Sequence, residues 1–371
     1  MKTNMELFQE RMGRIQTALN LETPDRVPLV FMADSFCANQ QGVKLSEFCT
    51  NPELANRTVI QSLTSLGEFD GVLLPISNNA VFSFIWLSNM KIPGRDLPEG
   101  SLWQCDEASL MTVEDYDTII AKGFNPWRAE YLSTRLRDKA ILPQVGAAFG
   151  FLPQAIHNCI DAGIGVMAPG YAGIPFDAFC GGRSLANFMS DLRKIPDKVQ
   201  AAMDVFMAET IAELRQIIRH AHPMAIWVDG MRGASGMVSP KIWHRFVWPY
   251  YRQLVEAIHE EGSKAYLHFD GDWERDLEFF KELPRASAVF ASDHGTDLYK
   301  VREMLDDHLC IMGDVPATML AIGNPDEVHA YCTKLIRDLG PKGFILSQGC
   351  DLPPNSKPEN VAAIMAAASG Q

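Results

Sequence analysis

A chain of 371 residues that is 47% hydrophobic and 21% charged carries enough apolar material for one large core and lies far from the composition of disorder. Its formal net charge of -13, with no run of Lys or Arg, repels polyanions and argues against a nucleic-acid partner. No apolar stretch of about 18 residues occurs, and the start MKTNMELFQERMGRIQ is charged and amphipathic. Neither a membrane span nor a signal peptide is therefore expected, and the chain reads as cytoplasmic.

In chain order, after an N-terminal helical extension, β-rich runs alternate with helical patterns. The runs are 26–32 (RVPLVFM), 71–76 (GVLLPI), 140–145 (AILPQV), 225–228 (AIWV), 265–269 (AYLHF), 288–291 (AVFA), 309–312 (LCIM) and 343–347 (GFILS). Continuous apolar runs suit strands buried on both faces, as parallel sheets require, and the segments between them are long enough for crossover helices. One such helix is expected from Pro240 to Glu261, with Ser239 as N-cap, Pro240 in its first turn and Gly262 at its end. This rhythm favours an α/β fold of the (β/α)8 TIM-barrel type, read as one domain over residues 1–371. An open doubly wound sheet is the rival, but no GxGxxG turn follows the first run.

Barrel chemistry sits where strands end at the C-terminal face, so the polar residues just past each run are the candidates. Asp34 and Ser35 follow the first run, Ser77, Asn78 and Asn79 the second, and Asp229 with Met231 the fourth. Asp293 and His294 follow the sixth run, Asp314 the seventh and Cys350 the eighth. In YLHFDGDW, His268 and Asp270 are one residue apart and point the same way from a strand, so they can share a metal or orient one another. Cys350 lies in a Gly-flanked turn and Cys310 in LCIMGDVP, and an imidazole with two thiolates would make a zinc set with a fourth position open.

Each of these has a plainer reading. His268 could be a hydrogen-bonded structural residue and Cys310 core filler, while Glu282, a distant ligand candidate, reads as a solvated helix-end residue in FFKELP. Asp293 is expected to point inward as an acceptor or orienter, with a helix-capping role as its alternative. Met32, Met90, Met231, Met237, Phe31, Phe82, Phe84, Trp86, Trp227 and Trp243 could line an apolar pocket or belong to the core. No GxxxxGK[ST] loop, GxSxG elbow or HExxH pair is present, and the cysteines form no CxxC pair.

The opening ERMGRIQTALNLETPDRVPLVF and the ending IMGDVPATMLAIGNPDEVHAYCTKLIRDLGPKGFILSQGCDLPPNSKPENVAAIMAAA resemble the uroporphyrinogen decarboxylase-like superfamily, and the resemblance spans nearly the whole chain. Members that decarboxylate the acidic tetrapyrrole carry an RQAGR motif after the first strand and an Asp at the end of the second. Here those places read FMADSFCANQ, without arginine, and PISNN, with Ser77 at the carboxylate position. The methyltransferase members hold zinc with a His-x-Cys pair on the fifth strand and a Cys after the eighth. His268 and Cys350 match the outer two, and Asp270 stands where the middle Cys would be.

The resemblance therefore implies a corrinoid-dependent methyltransferase of the O-demethylase type. Its zinc would be held by His268, Cys350 and a third ligand from Cys310, Asp270 or Glu282, with Asp270 and Asp293 as further catalytic candidates. Asp34, Ser77, Asn78, Asp229 and Met231 would bind the substrate. The implied partners are a small-molecule methyl donor, taken as a methoxylated aromatic, and a separate corrinoid (cobalamin) protein, with homodimer formation left open. The alternatives are transfer from methylcobalamin to a thiol or folate, uroporphyrinogen decarboxylation, and a non-catalytic tetrapyrrole-binding barrel.

Overall fold

A computed structural model describes residues 2–371. The chain opens with a helix, Asn4–Leu19, started by a capping box in which the Thr3 and Glu6 side chains each receive the other's backbone N–H. Arg14, Ile15, Ala18 and Leu19 are its buried residues, the three-and-four spacing of one helix face.

The strands are β1 (Val30–Phe31), β2 (Gly71–Val72), β3 (Asn89–Lys91), β4 (Gln104–Asp106), β5 (Gly165–Val166), β6 (Gly170–Tyr171), β7 (Ala225–Gly230), β8 (Lys264–Phe269), β9 (Ala288–Ser292), β10 (Cys310–Val315) and β11 (Phe344–Gln348). β1, β2 and β5 form one parallel sheet, and β11 to β6 form a second, six-stranded one in the order β11-β10-β9-β8-β7-β6. A parallel bridge between Leu29 and Leu346 joins the sheets at one side. At the other, the Ala225 N–H donates to the Met167 carbonyl at 3.1 Å, which gives a TIM-barrel-like arrangement. β3 and β4 pair as a separate antiparallel hairpin.

Successive strand residues face opposite sides, and the core divides accordingly. Val30, Leu73, Met167, Ala225, Tyr266, Val289, Cys310, Met312 and Ile345 form an inner cluster, to which the first helix adds Ile15, Ala18 and Leu19. Phe31, Val72, Val228, Leu267, Phe290, Ile311 and Leu346 belong to the outer cluster beneath the helices. The first helix thus fills the N-terminal end of the strands. There Asp70, fully buried, receives the guanidinium groups of Arg14 and Arg26 and the Leu29 N–H.

Two expectations need correction. Residues 140–145 are not a strand but the start of the helix Ile141–Asp161, whose buried Ile141, Val145 and Ala148 follow helical spacing. β5 and β6 occupy the third position instead. The helix expected over 240–261 is two, Pro240–Phe246 and Trp248–Glu260, broken at Val247. Pro249 has no N–H for the carbonyl four residues back, which explains the break.

Between β2 and Ile141 lies an insertion of the helices Asn79–Trp86, Val113–Lys122 and Phe124–Arg135 with the β3–β4 hairpin. It builds one wall of the site. Its first helix lies tight against Pro175–Arg183, where a Cβ on Gly181 would stand 2.0 Å from the Trp86 carbonyl oxygen, so only glycine permits this approach. Among the described residues no helix is long and apolar enough to cross a membrane.

Candidate metal centre and cavity

His268 is the penultimate residue of β8 and faces inward; Asp270 lies just beyond the strand. Their one-residue spacing puts both on one side, with His268 Nε2 and Asp270 Oδ1 3.4 Å apart. Cys350, in the turn after β11, completes a group whose nitrogen, oxygen and sulfur atoms all lie within 4.8 Å of one another. The second imidazole nitrogen, Nδ1, lies 3.4 Å from the hydroxyl of Tyr266, two residues back on the same inner face. Such a contact orients a ligating ring. Burial pushes the Tyr266 phenol up to about 12, so at neutral pH it is an uncharged neighbour.

The loops carrying this group are braced against each other. The Asp293 carboxylate accepts the N–H of Gly271 at 2.9 Å and of Gly295 at 2.6 Å, linking the turn after β8 to the turn after β9. A Cβ on Gly349 would stand 2.6 Å from the Asp293 carbonyl oxygen, so the segment bearing Cys350 rests on that backbone. Asp293 is an acceptor, as expected, but it ties loops together and is not among the cavity-lining residues.

Beside the trio opens a cavity of about 230 Å³. Phe82, Trp86 and Trp103 from the insertion line one side, with Phe82 and Trp86 stacked at 5.3 Å and Phe82 and Trp103 at 6.2 Å. Tyr171 and Trp227, edge to face at 5.8 Å, and Phe149 add further aromatic surface. Of the substrate-binding candidates, Asp34, Ser77, Asn78, Asp229 and Met231 all line the cavity. Asn78 is also an N-cap, its side chain accepting the Ala80 N–H at 2.8 Å.

The acidic groups here share one physical cause. Burial pushes Asp229, paired across the strands with His268, up to about 8, and the nearby Asp177 up to about 6. The Trp86 indole N–H donates to Asp229 Oδ2 at 3.3 Å, and the Arg232 N–H donates to Asp177 at 2.6 Å. Burial and the Asp351 carboxylate hold Asp34 well above the usual carboxylate range, while Asp351, raised to about 6 by burial, accepts the Asp34 N–H at 2.8 Å. Ser77 Oγ, Trp227 Nε1 and Asp229 Oδ1 are buried with no hydrogen-bond partner. Among the described residues no Lys or Arg lines this cavity; the guanidinium of Arg232, next along from Met231, turns to Glu107 at 3.9 Å.

The structure does not bring Cys310 to the trio. It is the first residue of β10, two positions behind Met312, which pairs through Ala291 with His268. It is fully buried in the inner cluster, its thiol pushed up to about 12 by burial, so it is core filler. Glu282 ends a helical segment and accepts from the Trp248 indole at 3.2 Å, a surface role.

Met32, Met231, Phe82, Trp86 and Trp227 line the cavity; Phe31 and Trp243 are core, Met90 is buried on the hairpin, and Met237 is half exposed. Phe84 lines a neighbouring cavity between the helices, which shares Phe149 and Tyr171 with this one. Sequence reasoning missed Tyr171, Trp103, Phe149, Asp177 and Asp351. For Asp351 a signal existed, since it follows Cys350 directly.

A family model described as uroporphyrinogen decarboxylase (URO-D) matches residues 137–370. The uroporphyrinogen decarboxylase of Geobacter metallireducens is 27% identical over 199 residues, which are 52% of this chain and 56% of that protein. The chain thus spans little more than half of that relative. The match to the uroporphyrinogen decarboxylase of Syntrophotalea carbinolica is 22% identical and covers 88% of this chain and 86% of that protein. Among solved structures, a methyltransferase from Methanosarcina mazei shares the fold with a TM-score of 0.71 at 17% identity, over 96% of this chain and 97% of that one.

Proposed function

The chain belongs to the uroporphyrinogen decarboxylase family, and from that premise we propose that it is a methyltransferase that demethylates a methyl ether. In this reading a methoxylated aromatic gives its methyl group to the cobalt of a corrinoid carried by a separate protein in the cytoplasm. The observation that carries the reading is the trio His268, Asp270 and Cys350 at the edge of a cavity with aromatic walls.

An imidazole nitrogen, a thiolate sulfur and a carboxylate oxygen are each zinc donors, and three protein ligands leave a fourth place for substrate. Zinc held there would act as a Lewis acid on the oxygen that loses its methyl group. The protein's own contribution is position and environment. Tyr266 steadies the His268 ring, Asp293 and Gly349 fix the loops that carry Asp270 and Cys350, and the aromatic walls hold a flat ring away from water. In the overall exchange the methyl carbon gives up its bond to oxygen and gains one to cobalt. The electron pair of the old bond stays on oxygen, and Co(I) supplies the pair of the new one.

Decarboxylation of uroporphyrinogen finds no support in the cavity. A polycarboxylate tetrapyrrole would bring its acids against Asp34, Asp229 and Asp351 with no lining cation to receive them. With Cys310 in the core, a single thiolate remains in the trio, which favours removal of a methyl group from oxygen over delivery to a thiol.

Metal analysis tests the site. Stoichiometric zinc is expected in the wild type and its loss in His268→Ala and Cys350→Ser; zinc that persists in both variants would remove the assignment. Methyl transfer is read separately, from the cobalt absorbance of a Co(I) corrinoid protein mixed with the enzyme and 2-methoxyphenol. Together the two measurements separate a wrong metal from a wrong reaction.

A further inference from the structure

The cavity between the helices, at about 380 Å³, is larger than the one beside the trio. Phe84, Phe124, Phe149 and Phe206 put four rings on its walls, and Phe206, Thr210, Leu214 and Ile217 recur at helical spacing along one face of the helix Pro196–Ala221. Ile217 and Phe149 are 50% and 41% exposed, so the cavity meets solvent through apolar side chains.

Among the described residues its one lining cation is Arg128. The guanidinium lies against two rings, 4.0 Å from the centre of Phe84 and 4.9 Å from that of Phe124. Burial pulls its pKa down to about 10, so it stays charged at neutral pH. A guanidinium carries five N–H donors, yet among the described residues this one makes a single hydrogen bond, to Asn125 Oδ1 at 2.8 Å, and no ion pair. Arg14 and Arg183, also withdrawn from solvent, are both ion-paired, the first with Asp25 and Asp70 and the second with Asp191. The acids near Arg128 are engaged elsewhere: Glu213 accepts the Asn125 side-chain amide at 2.5 Å, and Glu209 accepts the backbone N–H groups of Phe124 and Asn125 at 3.0 Å and 2.8 Å.

A withdrawn cation with open donors, set in an apolar chamber, calls for a partner that brings paired oxygens on an otherwise carbon body. A single negative charge balances the single cation, whereas a dianion would also face Glu209 and Glu213. We infer that this cavity is a second binding site, for a monocarboxylate with an uncharged apolar body, its carboxylate on Arg128 and its body among the phenylalanine rings. The inference does not depend on the demethylase reading, because Arg128 and Thr210 line this cavity and not the one beside the trio.

Titration calorimetry of the whole chain with 3-phenylpropanoate, octanoate and the amide of each tests it. Saturable binding of at least one acid is expected, the tighter of the two telling whether the body is aryl or alkyl. Its amide, the same shape without the charge, should bind at least about tenfold more weakly. Arg128→Gln should weaken the acid about tenfold and leave the amide unchanged, while Thr210→Phe, which fills the chamber from the helix Pro196–Ala221, should weaken both. These substitutions sit on different helices, so the test survives if one variant does not fold. A carboxylate also ligates metals, so the titration is repeated in excess chelator, where the affinity should not change. Binding of neither acid, equal binding of acid and amide, affinity lost with the chelator, or full affinity in the folded variants would each overturn the inference.

Discussion

At the N-terminal end of the strands, the fully buried Asp70 has both carboxylate oxygens engaged, by Arg14, by Arg26 at 2.7 Å and 3.0 Å, and by the Leu29 N–H at 2.8 Å. At the opposite end Asp229 is just as deeply set, yet one of its oxygens has no partner, and no lining cation answers the acids around it. The same residue type is therefore used in two ways. Complete pairing at one end locks the first helix onto the barrel, and incomplete pairing at the other leaves bonding capacity for a ligand, the division between stability and chemistry that barrel ends are known for.

The sharpest way to break this comparison is to remove the fully paired acid. Asp70→Ala would strand two guanidinium groups, and a loss of about 3–5 kcal/mol is expected in urea or thermal unfolding. A loss under about 1 kcal/mol would mean that the pairing does not secure that end. At the other end the effects should fall on function. If zinc is held at the trio as proposed, its removal with a chelator should abolish methyl transfer while the far-ultraviolet circular dichroism stays unchanged, because the trio sits on strands and loops held by other bonds. Unfolding on chelation would contradict that.

Gly349→Ala forces a Cβ toward the Asp293 carbonyl and displaces Cys350. Zinc affinity should drop about tenfold to a hundredfold, as for lost supporting contacts generally, with the fold retained; unchanged affinity in a metal-competition titration would show that the close approach does not matter.

The smallest effect concerns Asp229. Its folded pKa, about 8, is raised above the unfolded value by burial, so folding favours the protonated form. The stability this contributes is full below about pH 4, the unfolded carboxylate range, and is lost as pH rises through 8. Asp229→Asn should therefore gain on the wild type progressively between these limits, by a few degrees in Tm, and level off above pH 8. A pH-independent difference would mean that the acid is not held neutral.

How much of this was readable beforehand depended on range. Seven of the eight strand positions were legible, because a parallel strand buried on both faces must be a continuous apolar run. The third was not. Its residues 165–171, GVMAPGY, are mostly small and include Pro169, whereas ILPQV, five residues of a helix start, looks more strand-like than the strand. The His268 and Asp270 pair was legible from its spacing, and Cys350 from its place after the last run.

Cys310 falls short because the apolar run 309–312 does not show that the strand starts at Cys310 and continues to Val315, which leaves this residue at the end away from the mouth. Tyr171, Trp103 and Phe149 meet across long stretches of chain. No local pattern encodes that meeting.

The helix packed into the floor of the barrel has a consequence for timing. With that end filled by Ile15, Ala18 and Leu19, the small donor and the large cobalt-bearing visitor proposed above would both have to come through the upper rim. On that proposal the donor would settle first and the visitor second, and the spent phenol would wait for the visitor to lift away. An obligatory queue would follow from the proposed reaction, and saturating amounts of the visitor should then slow turnover by trapping empty enzyme beneath it.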